Sequence, residues 1–479
     1  MAKYKTKIEY FHFIPFYLIL FLFSSIYAEN KIIHHYKVSI SKDLQTLFVE
    51  ANFGNISFYH LYAGSSSGTD HIKNMRMISG RKTFTYSPES YELALGKNGR
   101  NSKMLYQFDI SSSIGTGRRA SVQKIGDDVI LPPDLWLWRP YELEENEQII
   151  IEFDFPANIN FSVPWQKTAH NKFLVDRSPY DWPAVAAFGT FNIDTVEVPG
   201  CKLAVAFLDG NYSTSKPELL HWIKNAATSV TKVYGEFPVK NAQVLIIPGG
   251  KRREPVPFGM VVRGGGLSIQ FNIDPSRPVE EFIADWTATH ELSHSLLPYI
   301  KRKEMWLSEG LATYYQYVLM GRDGRLSERQ AWQRIYNGFQ KGKRNSSGKS
   351  VKQTAENMGR YHAYPFVYWT GAAMMLKADV ALRKESYGQN SLDIVLKKIR
   401  NRLIPATRTW GGREMLKEMD LVGKTTVFMK LYNKHIYADE FPVDESYWEK
   451  LGILIEDGEV RLTNNAPLVH IRKQIIPPE

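Results

Sequence analysis

A single cysteine, Cys201, stands among 479 residues. The chain can therefore close no internal disulfide and build no cysteine-based zinc cluster. A lone thiol suits an oxidising compartment, where unpaired cysteines are a liability. Long apolar runs are missing too. The longest near the start, Phe11 to Phe23, has 13 residues and is interrupted by His12 and Pro15, short of the about 20 needed to span a bilayer. No low-complexity tract and no fixed repeat is present, which argues against a solenoid or propeller. Charge of one sign is nowhere dense. Net charge is +10, and the basic runs Lys301-Arg302-Lys303 and Lys341-Gly342-Lys343-Arg344 are short. Without a basic stripe, nucleic acid is not an expected partner. Gly249-Gly250-Lys251 lacks both the earlier Gly and the following Ser or Thr of a phosphate loop.

What is present describes a globular chain. Hydrophobic residues make up 43% and charged residues 23%, enough for two to four domains with a sizeable core. Lys3, Lys5 and Lys7 precede the apolar stretch, and Ser24-Ser25-Ile26-Tyr27-Ala28 follows it. That is the layout of a secretory signal peptide, residues 1–28, cut after Ala28. The expected mature chain is periplasmic or secreted, with no stable membrane span; an uncleaved anchor is the alternative. No cysteine near the cut allows a lipoprotein.

Residues 29–185 read as a β-rich domain. His35 to Ser41 and Ile149 to Phe155 alternate in polarity, and Asn, Ser, Gly and Pro clusters punctuate the runs. Residues 186–400 mix short apolar strands with helices, including a Gly-led strand, Gly264-Gly265-Gly266-Leu267-Ser268-Ile269-Gln270-Phe271. Residues 401–479 read as helical. The expected fold is α+β and multidomain.

Residues 290–294 read His290-Glu291-Leu292-Ser293-His294. A helix is expected to open near Ser276-Arg277-Pro278 and to stop before Pro298. Within it Ile283, Trp286, His290, His294 and Leu297 share one inward stripe. Two imidazoles one turn apart can share a zinc ion. Glu291, beside the first ligand, is placed to deprotonate water. A catalytic zinc takes three protein ligands. Trp306-Leu307-Ser308-Glu309-Gly310 supplies the third candidate, because Glu309 sits among apolar helical neighbours and a carboxylate there needs a cation. Gly310 and Ala312 are small enough to let this helix approach the histidine helix. Tyr368 is the candidate donor to an oxyanion, with Tyr361, His362 and Tyr364 as rivals.

The motif followed by Trp-Leu-Ser-Glu-Gly resembles the gluzincin metallopeptidases. The aminopeptidase N family pairs such a motif with a tyrosine three residues before a glycine, as Tyr368 and Gly371 are here. The stretch Tyr368 to Arg383, followed by Ser391-Leu392-Asp393, resembles the glycyl aminopeptidase family more closely. The resemblance covers about residues 255–400. It implies a thermolysin-like catalytic domain behind a β domain, one zinc per chain on His290, His294 and Glu309, Glu291 as base, Tyr368 as oxyanion donor, and a peptide or protein substrate. Three departures stand out. His294 and Glu309 are separated by only 14 residues. The tail reads as helices (Glu414 to Met419, Thr426 to Ile436) rather than as a PDZ module. Gly264–Gly266 occupies the place of an amine-binding segment but carries no carboxylate. A Gly-led edge strand there can still pair with substrate backbone, and Arg263 suits a carboxylate or carbonyl. Aminopeptidase activity is the expectation. An endopeptidase on the same site, or a non-catalytic secreted binding protein on a peptidase scaffold, is the alternative. Oligomeric state is not written in the sequence.

Overall fold

The computed structural model describes residues 31–478, apart from 55–59, 96–100, 116–121, 142 and 178–181. The expected signal peptide lies outside the described residues. Among them, no helix is long and apolar enough to cross a membrane.

The alternating segments of the first part form the strands expected of them. Ile32–Ile40 and Glu147–Phe153 lie parallel at the centre of an eight-stranded sheet. A second sheet of four strands contains Asn160–Ser162, Ala187–Gly189, Asp128–Ile130 and Gln123–Ile125. The two share one core, with Tyr36, Val49, Tyr106 and Ile149 from the first and Val129 and Phe188 from the second. Because Ala187–Gly189 belongs to this domain and Ile193–Val198 to the next sheet, the chain crosses over between them. That is a few residues beyond the expected 185/186 boundary.

The next sheet has five strands in the order Ile193–Val198, Cys201–Phe207, Asn241–Pro248, Leu267–Ile273, Phe258–Val262. Its three inner strands are parallel and apolar, as strands covered on both faces must be. The last strand is antiparallel to its neighbour and forms the edge. The strand following Gly266 is thus internal, which corrects the edge-strand expectation.

The helices that follow pack as one body. Met305–Arg322, the glutamate helix, crosses Tyr364–Glu385, the tyrosine helix, at Gly310 and Gly371. A Cβ on Gly310 would strike Gly371 Cα, so neither position admits a side chain. Gly310 therefore serves the contact with the tyrosine helix, not with the histidine helix as expected. Charge backs this crossing. Tyr314 donates to Asp379 at 2.8 Å, Tyr315 donates to Asp393 at 2.6 Å, and Arg383 joins Asp379 at 3.0 Å. The Asp and Arg letters after Tyr368, and Asp393 itself, build this buried network.

Residues 401–478 do not form a separate core. Met415, Leu416, Phe428, Trp448 and Ile475 belong to the same apolar cluster as Leu292, Leu307 and Phe366. The region is also not wholly helical, since Ile453–Glu456 and Glu459–Leu462 form a hairpin. Arg472, buried, pairs with Glu328 at 2.8 Å and donates to the Gly452 carbonyl at 2.7 Å, tying the tail to the helical body.

Candidate active site

The motif helix is shorter than its periodicity implies. Val279–Ala284 forms a first helix with Pro278, not Ser276, at its cap, and Asp285 turns extended at ψ 142°. Asp285 accepts a hydrogen bond from the Thr287 N–H at 2.7 Å, the local bond by which aspartate competes with a helix. The histidine helix then runs Thr287–Ser293 and tightens into one turn over His294–Leu296 before Pro298. The break removes Trp286 from the inward stripe. Its side chain is exposed, and Phe282 is buried instead.

His290, His294 and Glu309 meet. The Nε2 atoms of His290 and His294 lie 3.3 and 3.6 Å from one Glu309 carboxylate oxygen. The three candidate ligand atoms all fall within 4.8 Å of one another. A tetrahedral ion with bonds of about 2.0–2.1 Å sets its ligand atoms roughly 3.3 Å apart, so the set fits zinc. The other ring nitrogens are also placed. His290 Nδ1 is 2.9 Å from Gln316 Oε1 and His294 Nδ1 is 3.1 Å from Ser308 Oγ. A proton held on Nδ1 by these partners leaves Nε2 free to ligate. Sequence reasoning missed both partners. Gln316 carries a faint signal, being a polar residue two turns after Glu309 on a helix that is otherwise buried there.

The electrostatics suit a cation. Burial, outweighing the pull of Glu309, holds His294 down at about 4, with the positive charges of His290 and Arg263 adding to it. His294 is therefore neutral, as a ligand must be. At His290 burial pushes downward too, but the Glu309 and Glu291 carboxylates win and raise it. For Glu309 burial opposes the charge, and the two imidazoles overcome it and lower the carboxyl. Between His290 and Glu309 the imidazole proton thus stands where a cation would.

Glu291 sits on the same helix, half-buried. Burial, assisted by the Glu309 charge against that of His290, raises its carboxyl to about 7. Gly259 of the edge strand lies against it, and a Cβ there would come within 3.0 Å of a Glu291 carboxylate oxygen. A glycine inside a strand marks such a close approach, and this one also went unremarked in the sequence. Tyr368 comes from the first turns of the tyrosine helix. Its ring lies nearly parallel to that of His290 at 6.4 Å. Burial first, then the Glu309 and Glu291 charges, raises the phenol well above its usual range. It stays protonated and can donate.

Two expectations are corrected. Gly264, Gly265 and Gly266 form no substrate-facing strand edge. They make a loop against the β-rich domain, where added Cβ atoms would meet Ala184, Val175 and the Pro164 carbonyl, and Gly265 has φ +76°. Their missing side chains serve domain packing. Arg263 is engaged inside the protein, donating to the Leu297 carbonyl at 2.8 Å and to the His294 carbonyl, with its guanidinium over Tyr299. It holds the C-terminal end of the histidine segment, where a cation is favoured.

If Gln316 fixes His290 as a ligand, Gln316→Leu should weaken zinc binding by about 10- to 100-fold, the usual cost of losing such an outer partner. A competition titration with a zinc-sensitive chelator measures this. An unchanged affinity would leave Gln316 as packing only.

No family model and no curated protein matches this sequence. Solved structures are similar. An aminopeptidase N family protein from Idiomarina loihiensis aligns with a TM-score of 0.65 at 13% identity, covering 90% of this chain and 82% of that one. An M1 zinc metallopeptidase from Deinococcus radiodurans, solved as a mutant bound to a Tyr-Ser-Ala substrate, aligns with a TM-score of 0.51 at 13% identity, covering 86% and 95%. The β-rich first domain, the mixed middle and the helical end of this chain thus make up the fold of the aminopeptidase N type zinc metallopeptidases.

Proposed function

We propose that the chain is a zinc-dependent metallopeptidase that hydrolyses peptide bonds, acting as an aminopeptidase outside the cytoplasm. One observation carries the reading: two imidazole Nε2 atoms converge on the Glu309 carboxylate while a second carboxyl, Glu291, stands beside them at the sheet edge. His290, His294 and Glu309 would hold one zinc ion. When bound, zinc supplies Lewis acidity towards a carbonyl and lowers the pKa of water. Glu291 takes a proton from water and returns it to the departing amine. Tyr368 donates to the carbonyl oxygen as it gains charge. The edge strand Phe258–Val262, free along its outer side among the described residues, offers its backbone to an extended substrate.

The aminopeptidase part rests on the fold likeness and on the motif spacing. A substrate ammonium needs a carboxylate partner. Glu281 is committed to Arg277 at 3.2 Å, and Asp285 caps Thr287. Asp176 of the β-rich domain reaches the Gly264–Gly266 loop, donating its N–H to the Gly265 carbonyl at 3.1 Å, and burial raises its carboxyl. Asp176 thus belongs to the domain packing at that loop, and the aminopeptidase reading calls for another carboxylate of the β-rich domain at the cleft. A second reading, an endopeptidase, is favoured by the edge strand itself, since Phe258-Gly259-Met260-Val261-Val262 carries no carboxylate.

Paired peptides with free and acetylated N-termini, given to the zinc-loaded protein, separate these readings. The aminopeptidase reading expects cleavage only at the free terminus. Equal cleavage of both would make the chain an endopeptidase. Hydrolysis of neither would end the peptidase reading.

A further inference from the structure

Four rings form a connected row at the site. Trp286 stands edge-on to His290 at 5.4 Å and 86°. His290 faces Tyr368 at 6.4 Å, and Tyr364 stands edge-on to Tyr368 at 6.4 Å and 86°. The two inner rings belong to the chemistry described above. The two outer ones remain partly in water, Trp286 at 40% and Tyr364 at 41% exposure. They come from different elements. Trp286 is freed from the inward stripe by the break at Asp285, and Tyr364 opens the tyrosine helix.

Large exposed rings scattered singly on a surface need no explanation. These differ because each is in ring contact with a residue of the candidate centre. An exposed indole and phenol together present broad apolar area with little rotamer freedom to lose on binding. A peptide whose carbonyl lies between Glu291 and Tyr368 carries its neighbouring side chains past this row. Phe258, also exposed, does not join it. It shares a strand face with Met260 and Val262, which pack towards the β-rich domain, opposite to Gly259 and Glu291.

We propose that Trp286 and Tyr364 are the specificity surface of the cleft, and that the chain selects peptides with an aromatic or large aliphatic side chain beside the scissile bond. This rests on the metallopeptidase reading. The class of substrate follows from the two rings: flat, largely apolar faces favour an aromatic or large aliphatic side chain.

Matched peptides differing only in Phe, Leu, Ala or Gly at the residues flanking the cut bond test it, together with peptide hydroxamates bearing benzyl or methyl side chains. The zinc-loaded wild type should favour Phe or Leu over Gly by roughly 10- to 100-fold in kcat/KM, the range by which apolar pockets discriminate. The benzyl hydroxamate should bind tighter by a similar factor. Trp286→Ala and Tyr364→Ala should each reduce both ratios, to within about threefold for Trp286→Ala, with zinc content still at one per chain. Trp286→Phe should restore most of the preference. Ratios that persist in both alanine variants, or a wild-type preference for Gly, would overturn the proposal. Hydroxamate binding distinguishes its failure from that of the peptidase reading. Side-chain selection in binding without any hydrolysis sinks only the latter, and hydrolysis without selection sinks only the former.

Discussion

Glu291→Gln should lower turnover by at least about 10²-fold, the lower range for loss of a general base, while zinc stays bound. The substitution keeps the size and planarity of the side chain. That matters here, because Gly259 of the edge strand packs directly against it and leaves little space for another shape. What it removes is the proton-accepting group. Burial, with no cation bound, raises the Glu291 carboxyl to about 7, and as a carboxylate beside the ligands it can both take and return a proton. An amide can do neither. Turnover of a cleaved peptide and elemental zinc analysis on the same preparation check the result. A variant with zinc and a near wild-type rate would show that Glu291 is not the base. A variant without zinc would show that it also shapes the metal site.

His294→Ala should abolish tight zinc binding and, with it, activity. The loss should exceed the about 10- to 100-fold expected for Gln316→Leu, since a ligand goes rather than its support. The physical reason lies in what remains. Without His294, the buried Glu309 carboxylate keeps a single imidazole partner, His290 at 3.3 Å, and an ion would keep two protein ligands where catalytic zinc takes three. Elemental analysis and a chelator titration measure the effect, and the melting temperature should cease to rise on adding zinc, because a bound ion stabilises by mass action. Unchanged occupancy in a folded His294→Ala variant, or no zinc in the folded wild type, would remove the metal site from the account.

Part of this site could be read directly from the letters. The spacing of His290, Glu291 and His294 places two imidazoles one turn apart in any helix, so their convergence required only that a helix form. Glu309 was legible for a different reason. A carboxylate among Leu307, Leu311, Tyr314 and Tyr315, all buried, must find a cation. The strands His35 to Ser41 and Ile149 to Phe155 announced themselves by alternation, since a half-covered strand has to alternate. The helix break at Asp285 was written as well, in an aspartate placed two residues before a threonine N–H. The apolar periodicity on either side masked it.

The sequence by itself determined the local chemistry: which residues could ligate, which could act as base, and on which side of a helix they would lie, because these depend on contacts within one or two turns. The tertiary structure decided everything that joins distant segments. It chose Phe258–Val262 rather than the Gly264-led strand as the sheet edge, since strand order depends on pairing between segments far apart in the chain. It turned Gly264–Gly266 and Arg263 inward, to domain packing and to the His294 carbonyl, because a flexible loop and a long side chain take whatever partners the fold brings near. It also set Gln316 and Ser308 behind the two histidines, and Tyr368 beside His290, across helix crossings that no periodicity encodes.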